Sequence, residues 1–400
     1  MRRSPFLIIA VLVLAGCGQS SPEQKNADTV EAKIDKLIAQ LKSSDPDKQT
    51  VAASALWEYG ARAKRAIPAL DDATNMGKNG TEFVTYHREL HQAVTDTLAN
   101  MAPEAKEAIP PLVARLSGEF RQVAVAALVK YKEDAVPALI GALPNENAAQ
   151  ALGRIGAAAQ GAVPMLIKVA SGELRPKPGE GNAGAQSAAI QALGNIGAPA
   201  RMAIPMLTHL HAQKMDDKNL AFSIVVSLFQ IDAHNELARK ALKGYQTHEN
   251  PNFRATAYYH FARLDPADEA SVHQLVTLYS TAGINRFMIH RYLGELGPRA
   301  RELVPVLQKQ LAREFDWFAA ESLMSIDRAT GTAYLIKTLE SEDWDARGQA
   351  AHLLAKFHVT EALPALKKLA ELDLGDDDDL IHEIAKGHAQ QAVKRLENRP

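Results

Sequence analysis

Two histidines, His87 and His91, have the spacing with which one helix can hold a metal ion. They stand four positions apart, so their imidazoles would share one helical face and reach the same zinc ion. No carboxylate or third histidine completes a ligand set nearby. His209 and His211, two positions apart, do not share a helical face. We therefore interpret His87 and His91 as a surface pair and predict no metal site.

An acidic run at residues 375–379 carries the oxygen atoms that calcium prefers. The run reads Gly-Asp-Asp-Asp-Asp, without the alternating ligands and the interior glycine of a calcium-binding loop. Acidic side chains placed just before Leu380 would favour the positive N-terminal end of a following helix. We interpret the run as the start of a helix.

Motifs for catalysis are missing from the sequence. It contains no Gly-x-Ser-x-Gly turn, no glycine loop for phosphate and no His-Glu-x-x-His motif. The single cysteine, Cys17, leaves no other thiol that could act as a nucleophile. The sequence predicts no catalytic residue and no cofactor.

The first sixteen residues have the composition of a signal peptide. Arg2 and Arg3 precede an apolar core at residues 6–14, which is too short to span a bilayer. The residues Leu14-Ala15-Gly16-Cys17 resemble the bacterial lipobox. The resemblance implies diacylation of the Cys17 thiol, cleavage before Cys17 and acylation of the new amino terminus.

The alternative is an ordinary secretory signal with a chance cysteine. Under the lipoprotein interpretation, acyl chains would anchor the protein permanently, because each buried methylene contributes about 0.8 kcal/mol. Gly18 follows Cys17, where an aspartate would favour retention in the inner membrane. We therefore expect a lipid-anchored protein of the cell envelope, at the outer membrane and facing the periplasm if the cell is Gram-negative.

Composition excludes several classes of protein. Hydrophobic residues make up 46% of the chain but aromatic residues only 6%, which suits close packing of helices through small side chains. The formal charge of −2 becomes more negative once Arg2 and Arg3 are removed, so bulk electrostatics predicts no nucleic-acid partner. With Cys17 acylated, no disulfide is possible.

A repeated frame of Leu, Gly, Pro and Leu runs through most of the chain. Leu152, Gly156, Pro164 and Leu166 have the spacing that recurs three more times, beginning at Leu56, Leu193 and Leu293. Residues 98–112 follow it with Ala102 in the glycine position, whereas the units around Pro137 and Pro364 have a shorter turn. Glycine can adopt the left-handed conformation after a helix, and proline is favoured in the first turn of the next. Each unit is therefore predicted to be a helical hairpin.

These residues resemble HEAT-like repeats, in particular the short variety of the phycobilisome-lyase type. The resemblance implies an all-α fold, an α-solenoid of about ten HEAT-like hairpins that form a right-handed superhelix. We expect the hairpins between Pro46 and Leu372, with capping helices at residues 30–41 and 380–396. Neighbouring hairpins would bury the apolar stripe that each one carries.

The predicted organisation has three parts. Residues 1–16 are the signal peptide, residues 17–29 are the lipidated cysteine and a flexible tether, and residues 30–398 are one continuous solenoid. The prolines of successive units are 42 and 41 positions apart in two places but 27 positions apart in others. The extra residues in the longer units indicate loop insertions near residues 71–82 and 172–184. Both follow the second helix of a hairpin, so both would emerge on one edge. We treat that edge as a candidate contact surface, with tolerated length variation as the alternative.

Aromatic residues are concentrated in one part of the chain. Of 23 aromatic residues, 12 lie between Phe253 and Trp344. They can fill gaps in the core of divergent repeats, or they can line an interface. Tyr258 and Tyr259 are adjacent and cannot both face one side of a helix, so we expect one of them near solvent.

The sequence thus favours a non-catalytic scaffold that binds protein partners, anchored through Cys17 and monomeric. Enzymes on HEAT scaffolds are an alternative, and the deoxyhypusine-hydroxylase type uses repeated His-Glu pairs. Here His-Glu occurs at His248-Glu249 and His382-Glu383, neither in the repeat frame. Bilin lyases and HEAT-like DNA glycosylases act in the cytoplasm, whereas the signal directs this chain elsewhere. A structural subunit of an envelope complex is the third possibility.

Overall fold

The computed structural model describes residues 22–75, 88–175, 184–372 and 380–397. Within these ranges the regular elements are α-helices and short 3₁₀ helices, without a β-strand. The predicted all-α class is confirmed. No helix in the described ranges is long and apolar enough to cross a membrane.

The helices divide between two compact units, which meet in sequence between Asp232 and Ala233. That residues 30–398 form one continuous array stays a prediction. The first unit contains helix α1 (Pro22–Leu41), five hairpins and helix α12 (Lys218–Ile231). Its hairpins are α2 (Pro46–Trp57) with α3 (Ile67–Asn75), α4 (Arg88–Asn100) with α5 (Ile109–Ala114), α6 (Arg121–Lys130) with α7 (Val136–Gly141), α8 (Glu146–Ile155) with α9 (Val163–Ser171), and α10 (Ala185–Ile196) with α11 (Ile204–Gln213).

The second unit contains helix α13 (Glu236–Tyr245), four hairpins and a C-terminal helix, α22 (Leu380–Glu397). Nine hairpins thus lie within the described parts of the two units. This agrees with the predicted number of about ten. The hairpins of the second unit are α14 (Pro251–Leu264) with α15 (Glu269–Leu278), α16 (Arg286–Leu296) with α17 (Val304–Leu311), α18 (Trp317–Ile326) with α19 (Arg328–Thr338), and α20 (Trp344–Lys356) with α21 (Leu363–Ala370).

The glycine and the proline of the repeat frame have their predicted roles. Gly156 ends α8 with φ +74°, and Gly197 ends α10 with φ +75°, values that an L side chain rarely adopts. Pro164 and Pro205 lie in the first turns of α9 and α11. In the hairpin with the shorter turn, Lys132 takes the left-handed conformation without a glycine, at φ +50°.

The segment between the glycine and the proline is a 3₁₀ helix, a feature that the sequence analysis misses. In the α8–α9 hairpin it spans Gly156–Ala162, and its Ala159 and Ala162 are completely buried. The methyl groups face the core because residues three apart lie on the same side of a 3₁₀ helix. The turn therefore adds to the packing of a hairpin that contains it.

Two boundaries differ from the predictions, and a third agrees with its prediction. Helix α1 begins at Pro22, so the predicted tether at residues 17–29 is helical from residue 22 onward. Helix α3 continues to Asn75, so the loop predicted at residues 71–82 begins as helix. Gly172 ends α9 with φ +81°, so the helix stops where the loop insertion at residues 172–184 was predicted to begin. Cys17, His87, residues 76–82, residues 176–183 and the acidic run at 375–379 lie outside the described residues.

A candidate binding surface in the second unit

Four helices of the second unit place aromatic side chains on one surface. Helices α16, α18 and α20 are the first helices of the last three hairpins, and α22 packs on α20. Each of the three begins at a side chain that caps it: Asn285 accepts a hydrogen bond from the Met288 amide at 3.0 Å, and Asp316 from the Ala319 amide at 2.8 Å. Asp343 caps α20 in the same way. The caps fix the first turns, in which Phe287, Trp317, Phe318 and Trp344 lie.

We call this surface the aromatic strip, and ring contacts join the side chains of each neighbouring pair of its four helices. Phe287 and Phe318 pack edge to face, with centroids 5.4 Å apart. Trp317 contacts His352 at 5.3 Å, and His352 contacts His388 at 6.2 Å. The strip comprises Phe287, Trp317, Phe318, Trp344, His352, His382 and His388.

A groove of about 530 Å³ lies beside Phe287 and Phe318, a size within the usual range for ligand-binding clefts. Phe287 is 58% exposed and Phe318 is 40% exposed. Large exposed aromatic side chains next to a cleft are typical of interaction surfaces. The groove runs between α16 and α18 and reaches Lys356 on α20.

The charged side chains at the groove are paired with one another. Glu321 accepts a hydrogen bond from Nε1 of Trp317 at 3.2 Å and forms an ion pair with Lys356. Arg291 lies 3.8 Å from Glu295. Such exposed pairs add little to stability, but each cancels one positive and one negative charge. The groove therefore presents apolar surface without a net charge from these four residues.

A buried polar chain forms the floor of the groove. The Nδ1 atom of His290 lies 2.9 Å from Oγ of Ser322, and its Nε2 lies 3.2 Å from the hydroxyl of Tyr279. Tyr279 donates to Oε1 of Gln310 at 2.6 Å. Burial lowers the pKa of His290 to about 4, so the imidazole is neutral at pH 7.

The Ser322–His290 contact has the residue types of a nucleophile and a base. Ser322 lies in the middle of α18, where backbone N–H groups bond within the helix and are not free to stabilise an oxyanion. Ser322 is also only 3% exposed. The arrangement is a buried hydrogen-bond network that links α16, α18 and the C-terminal end of α15.

The described histidines that were considered as candidate metal ligands do not lie together in the structure. His248 lies in a turn, where its Nδ1 accepts a hydrogen bond from the Asn250 amide at 3.0 Å, and His382 packs on Trp344. His91 lies on α4 of the first unit. Among the described residues, no three metal-ligating side chains form a group.

The aromatic residues of this region divide between the core and the surface. Tyr259 is buried and stacks on Tyr292, with centroids 4.0 Å apart, whereas its neighbour Tyr258 is half-buried. Tyr279 is also buried. Phe287 and Phe318, in contrast, lie on the surface. His352 and His388 were not predicted from the sequence, because they belong to different helices and share no motif.

Comparisons with known proteins give only distant similarities. No protein family and no curated protein matches the sequence. Among solved structures, an engineered protein covers 92% of this chain over 100% of its own length, with 20% identity and a TM-score of 0.32. A structure of importin beta covers 94% of this chain, with 13% identity and a TM-score of 0.30, and the match spans 59% of the importin beta chain. A second engineered protein covers 91% of this chain over 96% of its own length, with 18% identity and a TM-score of 0.15.

Proposed function

We propose that the protein is a non-catalytic scaffold that binds a protein partner through the aromatic strip, while Cys17 anchors it to a membrane of the cell envelope. The observation that carries the proposal is the exposed edge-to-face pair of Phe287 and Phe318 beside a groove of about 530 Å³. A few buried aromatic side chains supply most of the free energy of a typical interface.

The strip has the dimensions of a peptide-binding site. Neighbouring packed helices lie about 8–10 Å apart, so a surface that crosses four of them is about 25–30 Å long. That length corresponds to a helix of about 18 residues or an extended segment of about eight. Because Glu321 with Lys356 and Arg291 with Glu295 cancel their charges, the partner segment should contribute mainly apolar side chains.

The membrane anchor is proposed from the sequence around Cys17. Exported helical repeats with a lipid anchor would hold their binding surface close to the membrane. A permanent partner would make the protein a structural subunit of an envelope complex, and a transient one would make it an adaptor. The stoichiometry of the purified complex separates these two forms of the same proposal.

The test is crosslinking in native membranes followed by mass spectrometry. We expect Phe287→Ala with Phe318→Ala to reduce the yield of the crosslinked partner at least tenfold, because truncation of two interface aromatics removes most of the contact energy. Met202→Ala is the matched control, because Met202 is 62% exposed but lies in the first unit. An unchanged yield in the double variant, with normal helicity, would refute the proposed surface.

A metal-dependent enzyme on the same scaffold would give a different result in a simpler measurement. Protein that lacks residues 1–17 should contain substoichiometric iron and zinc after purification. A stoichiometric content of either metal would argue against the scaffold.

A further inference from the structure

A cavity of about 530 Å³ lies outside the aromatic strip, between the start of α16, helix α17 and the turn that leads to α18. Its lining shares no residue with the groove beside Phe287 and Phe318. The volume is within the usual range for sites that bind small molecules. The chemistry of the lining therefore decides what the cavity can bind.

Three positive side chains line the cavity without an ion-pair partner. Arg286 begins α16, Lys309 lies on α17, and Arg313 follows α17. Among the described residues, no carboxylate forms an ion pair with any of these three side chains. The nearby Arg299, in contrast, pairs with Glu269 at 3.0 Å. The cavity thus offers positive charge that the described part of the chain does not use.

The guanidinium of Arg286 is held at the edge of the cavity. Its central carbon lies 5.3 Å from the centroid of the Tyr279 ring, a cation–π contact, and its Nη1 lies 3.4 Å from Oε1 of Gln310. Tyr279 is buried and donates to the same Oε1 at 2.6 Å. A side chain that is already positioned loses less conformational entropy when it binds a ligand.

Two acidic side chains also line the cavity. Asp316 is occupied, because its Oδ1 accepts a hydrogen bond from the Ala319 amide at 2.8 Å and its Oδ2 accepts one from Nε2 of Gln310 at 2.9 Å. Glu314 is exposed and forms no ion pair with the described residues. Three basic and two acidic side chains give the lining a formal charge of +1.

Apolar side chains stand beside the charged ones. Val306, on α17, is 40% exposed although it is a large hydrophobic residue. Phe315 is half-buried, and its ring lies nearly parallel to that of Tyr334, with centroids 6.3 Å apart. A ligand that reaches the positive groups would therefore also contact apolar surface.

We propose that this cavity binds a small monocarboxylate, in which a single carboxylate is attached to an apolar body. Guanidinium groups match the two oxygens of a carboxylate in geometry as well as in charge. One negative charge balances the lining, whereas a phosphate ester or a nucleic acid would bring further negative charges toward Glu314 and Asp316. The apolar body would contact Val306 and Phe315. The proposal does not depend on a partner at the aromatic strip.

The last residue of a protein chain and a free fatty acid share this chemistry. N-acetylphenylalanine represents the first source and octanoate represents the second. We expect at least one of them to bind the purified protein with a dissociation constant on the order of 1 mM at pH 7 and low salt, measured by saturation-transfer NMR. Binding of only one probe identifies the source. N-acetylphenylalaninamide and octanamide have nearly the same shape without the charge, and each should bind at least tenfold more weakly than its acid.

Variants of the lining test the place and the sign of the charge. Lys309→Gln with Arg313→Gln should weaken binding at least tenfold, because two cations are lost. Both side chains are exposed, so the circular dichroism spectrum should remain that of the wild type. Glu314→Gln should strengthen binding about two- to fivefold, because it removes a negative charge from the lining. Arg301→Gln is the matched control, since Arg301 is exposed and lies outside the cavity.

The outcomes separate this site from the proposed binding surface. Phe318→Ala should leave the affinity of the carboxylate unchanged, because Phe318 lines the groove and not this cavity. The proposal is overturned if neither acid binds, if an amide binds as tightly as its acid, or if the double glutamine variant keeps the wild-type affinity. Loss of binding in Phe318→Ala would also overturn it, because the carboxylate would then occupy the groove.

Discussion

The guanidinium of Arg299 lies at the C-terminal end of α14, where its Nη1 donates a hydrogen bond to the carbonyl oxygen of Ala262 at 2.6 Å. Its Nη2 donates to the carbonyl oxygens of Asp268 at 3.1 Å and Asp265 at 3.4 Å. Nε completes the set with the carboxylate of Glu269 at 3.0 Å. One side chain from the turn of the α16–α17 hairpin thus pairs a carbonyl group in the last turn of α14 and two carbonyl groups of the loop that follows it. It connects two successive hairpins through polar contacts.

We expect Arg299→Ala to lower the free energy of unfolding by about 2–3 kcal/mol, because it removes the side-chain donor from the partly buried carbonyl oxygens of Ala262 and Asp268. Arg301→Ala is the matched control two positions away, where a side chain that is 70% exposed lies 3.9 Å from Asp327. Its loss should cost about 0–1 kcal/mol. Urea unfolding followed by circular dichroism compares the two, and equal effects would contradict the role given to Arg299.

Gly153 provides a second test, at the contact between α8 and α10. A Cβ atom there would lie 2.9 Å from Cα of Ala192, which is backbone and has no room to move aside. Gly153→Ala should therefore destabilise the protein by about 1–3 kcal/mol, even though alanine is the better helix former by about 1 kcal/mol.

Gly141→Ala is the control, because no atom lies within 4 Å of a Cβ at the end of α7. It should leave the melting temperature unchanged or raise it slightly, since alanine restricts the unfolded chain. The prediction fails if Gly153→Ala melts at or above the wild-type temperature.

The two glycines of one frame show how far sequence could predict this fold. Gly156 has a local role, because its positive φ allows the turn after α8. The spacing between Gly156 and Pro164 predicts that turn from the sequence alone. Gly153 has a role that depends on Ala192 of the next hairpin, and no local pattern encodes that distance. Hairpin number, helix class and cap positions are local properties, so they could be predicted. The division at Asp232 could not, because it depends on contacts distant in sequence.

The aromatic strip was unpredictable for the same reason. Trp317 and His352 are 35 positions apart, and His352 and His388 are 36 apart, in units whose lengths vary. Only the concentration of aromatic residues pointed to this region. Which rings would be buried, such as Tyr259, and which exposed, such as Phe318, depends on where each helix begins at its cap.

Acid should weaken the second unit through His290. Its pKa falls from the ordinary 6.5 to about 4 on folding, because burial disfavours the charged imidazole. The unfolded state therefore binds more protons between these values, so the contribution is complete above pH 6.5 and is lost progressively toward pH 4. At about 1.4 kcal/mol per pKa unit, the loss is on the order of 3 kcal/mol.

Urea unfolding of wild type and His290→Gln at pH 7.0 and pH 4.5 measures this contribution. We expect the variant to be less stable at pH 7.0 but to lose less stability between the two pH values. His273→Gln, which replaces a mostly exposed histidine of α15, should keep the wild-type difference. An identical pH dependence in His290→Gln would show that His290 does not titrate on unfolding.

Cys17→Ser tests the membrane anchor without touching the fold. If the thiol of Cys17 carries the acyl chains, serine removes the attachment site, and the protein should move from the membrane fraction to the soluble fraction. Each buried methylene contributes about 0.8 kcal/mol, so loss of the acyl chains abolishes stable binding. The helices that the structure describes begin at or after Pro22, so the circular dichroism spectrum and melting temperature of the released protein should match those of the wild type. Membrane fractionation with immunoblotting gives the result.

Ser20→Ala, three residues further along, is the control and should remain in the membrane fraction. A wild-type protein that is already soluble, or a Cys17→Ser variant that stays in the membrane fraction, would show that the lipobox resemblance is misleading.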